Sequence, residues 1–194
     1  MNTFTESLTT RTFHGVAEDQ RARFALGVVA FAVAAAFSAQ VAVRLPWTPV
    51  PVTLQPLMVI LAGVVLGPRL GALSMAAYVT IGALGAPVFS NGGAGLPWLL
   101  GPTGGYLLAA PAAAWVAGIV SGRGEHALRL VIGLTLGVVT MYVGGVAQLM
   151  AATGQGLPAT MAAGVVPFLV GDVTKIALAF FAIFAVQTAS KKRS

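Results

Sequence analysis

The chain of 194 residues is 57% apolar and only 8% charged, with a mean hydropathy of +0.89, where a soluble domain carries about 25% charged residues. This balance excludes an ordinary soluble domain and points to a polytopic, all-α integral membrane protein that uses the bilayer as its solvent. The net charge of +6 is scattered between apolar stretches, which argues against nucleic acid as a partner, and the absence of cysteine with only His14 and His126 as histidines leaves no metal cluster.

Residues 1–23 are polar and mixed in charge, without the basic-then-apolar order of a secretory signal, and are expected to form a cytoplasmic N-terminal tail. An amphipathic surface helix there would have Phe13 and Val16 as its main large apolar residues. Apolar runs then predict six membrane spans within residues 24–188, near 24–43, 52–66, 70–85, 102–120, 130–152 and 162–187. G-P-R-L-G closes a tight turn between the second and third, and the Gly- and Pro-rich segment 86–98 is expected to be a loop. The basic segment 189–194 is a second cytoplasmic tail.

Lysine and arginine collect in cytoplasmic loops. Six spans beginning inside put Arg11, Arg21, Arg23, Arg69, Arg123, Arg129, Lys191, Lys192 and Arg193 there, nine of eleven cations. Both termini are therefore expected on the cytoplasmic side, and Arg123, Glu125 and Arg129 are expected to set orientation in a solvated loop. The exterior then consists of R-L-P-W-T-P-V-P-V-T, S-N-G-G-A-G-L-P-W-L-L and T-G-Q-G-L-P. Such Gly-, Pro- and aromatic-rich segments suit a cover over a small-molecule pocket. Trp47 and Trp98 fit that cover or, equally, anchors at the membrane interface.

The sixth span contains V-G-D-V-T-K, with Asp172 and Lys175 three residues apart on one helix face and about 10 Å below the outer end at 1.5 Å per residue. A charge at that depth costs at least about 2.5 kcal/mol on insertion scales and marks a site facing the bundle interior. A purely structural ion pair is the competing reading, weakened because desolvation offsets most of what such a pair contributes. The pair offers an acceptor for N–H donors and a cation for a carbonyl or carboxylate.

The first span carries small residues four apart at Ala30/Ala34, Ala32/Ala36 and Ala35/Ala39, a pattern that lets helices approach closely within the bundle or against another subunit. The lysines Lys175, Lys191 and Lys192 fit no G-K-[ST] phosphate loop, so any ATP-driven step belongs to partner proteins.

T-P-V-P-V-T-L-Q at 48–55, A-G-V-V-L-G-P-R-L-G at 62–71, G-A-P-V-F at 85–89, L-G-P-T-G-G-Y at 100–106 and the Asp-x-x-Lys of G-D-V-T-K follow one another across most of the chain. Together they resemble the BioY family, the biotin-specific substrate-capture subunits of energy-coupling-factor transporters. The resemblance implies a multi-pass cell-membrane protein that binds biotin from outside and takes it up, with no enzymatic activity and no cofactor of its own. It maps the family's pocket residues onto Asp172 and Lys175, with Asn91, Gln55, Tyr78 and Tyr106 as further candidates. Its partners would be membrane lipid, a transmembrane coupling subunit that contacts small residues of the first helix, and paired cytoplasmic ATPases, with a homo-oligomer also open. A sibling subunit for another vitamin fits the architecture but not the loop motifs. An intramembrane enzyme built on Asp172 lacks a second carboxylate, a histidine or a metal site within the membrane.

Overall fold

A computed structural model describes the backbone of residues 3–122, 124 and 126–191, and side chains at 19–122, 124 and 126–189. The side chains of Arg11, Phe13, Val16, Arg123, Glu125, Lys191, Lys192 and Arg193 lie outside the described residues. Helix α1 (Thr3–Gln40) leads into a short antiparallel hairpin, β1 (Ala42–Val43) and β2 (Val52–Thr53), paired Ala42 to Thr53 and Val43 to Val52. There follow α2 (Gln55–Leu66), α3 (Pro68–Ala83), the five-residue α4 (Leu96–Leu100), α5 (Gly104–Ser121), α6 (Ala127–Thr153), α7 (Leu157–Gly164) and α8 (Leu169–Lys191). Prolines in the first turns of α2, α3, α4 and α7 occupy positions whose N–H would have no helical partner. Gly67, at φ 82°, makes the turn between α2 and α3.

Among the described residues, four helical segments are long and apolar enough to cross a membrane: Asp19–Gln40, Gly104–Ser121, Ala127–Thr153 and Leu157–Ala189. The last is interrupted. Where a single sixth span is expected from residue 162, α7 ends at Gly164, a 3-10 turn runs over Val166–Phe168, and α8 starts at Leu169. Pro167 is the physical cause, because it has no N–H to continue the ladder and its ring displaces the preceding turn. The helices α2 and α3, of 12 and 16 residues, reach about 18 and 24 Å.

The packing is inverted relative to a soluble protein. Large apolar side chains such as Leu26, Phe37, Leu84 and Val170 are 70% or more exposed, whereas Ala35, Ala62, Ala110, Ala113, Ala114 and Ala117 are fully buried. Small residues at the crossings bring backbones together: a Cβ on Gly63 of α2 would meet the Ala114 carbonyl of α5 at 2.0 Å, and one on Gly105 of α5 would meet the Gly144 carbonyl of α6 at 2.2 Å. Interhelical packing of this kind replaces the hydrophobic drive that lipid cannot supply. Gly27 faces Leu66, Gly118 faces Pro68, and Gly124 faces Ile183 and Gln187. The base of the α1 span, the α2–α3 turn, the α5–α6 turn and the end of α8 therefore share one end of the bundle.

On α1, Ala32, Ala35 and Ala39 are buried within the molecule, Ala34 and Ala36 are half-buried, and Ala30 is exposed. Of the three spaced pairs, Ala35/Ala39 is consumed by the protein's own packing, while Ala30/Ala34 lies toward the outer face beside the exposed Leu26, Val33 and Phe37.

Candidate binding site

At the other end of the bundle three connections converge. The 44–51 segment is tied down by Thr48, whose hydroxyl donates to the Ala163 carbonyl at 2.8 Å, and by Val50, buried with Leu149 and Phe168. The 85–95 segment is held from two sides. Tyr78 of α3 donates its hydroxyl to the Val88 carbonyl at 3.0 Å and packs edge-on against Phe89. Gln40 at the end of α1 donates to the Phe89 carbonyl at 3.0 Å and accepts the Gly92 N–H at 3.1 Å. Gln148 of α6 secures the α4–α5 corner by donating to the Gly101 carbonyl at 2.8 Å.

Beneath these segments lies a cavity with about 630 Å³ of free space including its open mouth. Asp172 and Lys175 are on its wall, 4% and 5% exposed, with the Lys175 Nζ donating to Asp172 Oδ1 at 2.6 Å. The Tyr142 hydroxyl of α6 donates to the other carboxylate oxygen, Oδ2. Asp172 sits in the first turn of α8, where the helix dipole favours a carboxylate. Apolar walls come from Val50, Leu107, Val138, Met141 and Phe168, with Trp98 at the side. Gln55, Thr53, Ser90 and Thr103 add a few polar groups. Among the described residues no buried side-chain polar atom lacks a hydrogen-bond partner.

The candidates read from the sequence separate into three groups. Asp172, Lys175, Gln55 and Tyr106 come together on this cavity. Tyr106 contributes its ring, since its hydroxyl is committed to the Gly164 carbonyl at 2.6 Å. Asn91 lies in an adjoining outer hollow with Arg44 and Thr48, which shares Pro51, Ser90, Trp98 and Thr103 with the inner cavity. Tyr78, 1% exposed, is not on the cavity lining; it braces the covering segment from behind. Trp47 is 67% exposed and outside both hollows, whereas Trp98 lines both.

Tyr142 was not among the sequence candidates. The available signal was a phenol in the middle of a long apolar run, since a tyrosine removed from the interface must find a hydrogen-bond partner.

Comparison with known proteins agrees with this architecture. The family model described as BioY family matches residues 9–192. The chain is 41% identical over 152 residues to the probable biotin transporter BioY of Pyrococcus horikoshii, covering 78% of this chain and 88% of that protein. It is 36% identical over 137 residues to the biotin transporter BioY of Thermotoga maritima, covering 71% and 80% respectively. The crystal structure of the S-component for biotin from an ECF-type ABC transporter has the same fold, with a TM-score of 0.81 over 88% of this chain and 93% of that one at 22% identity.

Proposed function

The chain belongs to the BioY family, and from that membership we propose that it captures biotin on the outer side of the cell membrane and serves its uptake as the substrate-binding component of an energy-coupling-factor transporter. The observation that carries this reading is the buried Asp172–Lys175 pair facing a largely apolar cavity. Biotin's fused rings carry a cyclic urea, so one ring N–H suits a free lone pair of Asp172, and the urea oxygen suits a remaining Lys175 proton. The bicyclic body and its chain suit the Leu107, Met141, Trp98 and Phe168 walls. Asn91 and the outer hollow would meet the distal, carboxylate-bearing end.

Six spans within residues 24–188, with 1–23 and 189–194 cytoplasmic, form the topology of this reading. In support, Arg21, Arg23, Arg69 and Arg129 are exposed around the end of the bundle away from the cavity, as the positive-inside rule requires. In this reading α2 crosses with the extended residues before it, and α7 and α8 together make the sixth span. The Ala30/Ala34 edge of α1, exposed at Ala30 and half-buried at Ala34, is the surface for the transmembrane coupling subunit, and separate ATPase subunits supply the energy. The protein is a transporter component, not an enzyme.

The test is to purify the full chain in detergent, identify any co-purifying small molecule by mass spectrometry, and titrate the ligand-free protein with biotin. Tight, saturable biotin binding is expected. Another vitamin in the site, with no response to biotin, would overturn the assignment.

A further inference from the structure

Asp172 and Lys175 both ride on α8, and the 2.6 Å bond between them engages Oδ1. Rotation about the Cβ–Cγ bond carries both carboxylate oxygens together and has broad minima, so one bond to a flexible lysine ammonium restrains the group only weakly. The second anchor comes from another helix: the Tyr142 hydroxyl of α6 donates to Oδ2. We propose that Tyr142 is a positioning residue of the ligand site, holding the Asp172 carboxylate so that its remaining lone pairs are aimed at a ligand N–H before the ligand arrives. This rests on the biotin-binding reading above.

The geometry supports a positioning role in three ways. Each carboxylate oxygen accepts two hydrogen bonds, so after Lys175 and Tyr142 each retains one site for a ligand donor. The Tyr142 ring is itself fixed, packed with Tyr106 against Val50, Leu149 and Phe168, so the hydroxyl is delivered by a rigid element. Tyr106 does not compete for the carboxylate, because its own hydroxyl is occupied by the Gly164 carbonyl at 2.6 Å. The resulting device spans α6 and α8, and its consequence is selectivity for ligands that bring an N–H donor to this point.

The experiment compares wild type, Tyr142→Phe, Asp172→Asn and the double variant, as full chains in detergent, by biotin titration. Tyr142→Phe keeps the ring and its packing and removes only the hydroxyl. It should weaken biotin binding roughly 10–100-fold, the loss typical of a hydrogen bond to a charged group. In the Asp172→Asn background the same change should have little further effect, because the carboxylate that it positions is gone. An infrared carboxylate band, assigned by its loss in Asp172→Asn, should move in Tyr142→Phe even without biotin, which keeps the comparison decisive if Asp172→Asn binds too weakly to titrate. Unchanged affinity in Tyr142→Phe, an unmoved band, or strictly additive losses would overturn the proposal. A wild-type chain that binds no biotin would instead overturn the functional reading, and this proposal with it.

Discussion

Lys175 Nζ lies 2.6 Å from Asp172 Oδ1 across one turn of α8, and neither residue is more than 5% exposed. Each is thus the condition for the other's burial. Removing one partner of such a pair leaves an uncompensated charge and costs roughly 3–5 kcal/mol, whereas replacing both by neutral groups is often tolerated.

Lys175→Ala is accordingly expected to lose both biotin affinity and thermal stability, while Asp172→Asn with Lys175→Met regains most of the stability and none of the affinity. Unfolding curves in detergent beside biotin titrations separate the two effects. A Lys175→Ala protein as stable as wild type would contradict the pairing.

Tyr106 and Gly164 form a second linked pair, since the hydroxyl that donates to the Gly164 carbonyl also lies 2.6 Å from where a Cβ on that glycine would stand. Tyr106→Phe should cost about 1 kcal/mol, the net worth of an ordinary hydrogen bond. Gly164→Ala should cost about 1–3 kcal/mol through overpacking. Combining them should cost less than the sum, because the phenyl ring lacks the atom that clashes; additive losses in thermal unfolding would refute this coupling.

Asn91 has φ 56°, and among the described residues it alone is a non-glycine with positive φ. Glycine tolerates that backbone and alanine does not. Asn91→Gly should keep the covering segment in shape and weaken biotin binding through loss of the side chain alone, whereas Asn91→Ala should also lower stability by about 1 kcal/mol. Equal biotin affinity in Asn91→Gly and wild type would remove Asn91 from the site.

Gln40 makes hydrogen bonds to the Ala36 carbonyl at 3.1 Å, the Phe89 carbonyl at 3.0 Å and the Gly92 N–H at 3.1 Å. Gln40→Leu should loosen the covering segment without touching Asp172, so biotin should dissociate faster, by up to about 30-fold if both bonds to that segment, worth about 1 kcal/mol each, are felt at the site. Stopped-flow displacement of bound biotin measures this, and an unchanged dissociation rate would show that the segment is held without Gln40.

The helices were legible in the sequence because apolar runs and Gly/Pro punctuation are local signals, and the ends of α5 and α6 fall within a few residues of the expected spans. The break at Val165–Phe168 was masked because those residues are themselves apolar, so hydropathy alone passed over the proline. Asp172 and Lys175 stood out because charge within an apolar run is conspicuous. Tyr142 did not, because its role depends on α6 lying against α8, a contact that no local pattern encodes. Tyr78, a candidate through the resemblance alone, is off the cavity lining, and only the three-dimensional path of the 85–95 segment shows its bond to the Val88 carbonyl.

The close approaches at Gly63, Gly105 and Gly118 also determine where this chain can accept change. Along the lipid-facing sides almost any apolar residue satisfies the surroundings. A single added methyl at these three positions would run into backbone atoms, which cannot rotate away as a side chain can. Mutational tolerance should therefore divide by residue volume more sharply than by polarity, with the glycines of the α2–α5–α6 seam as the least replaceable positions outside the binding cavity.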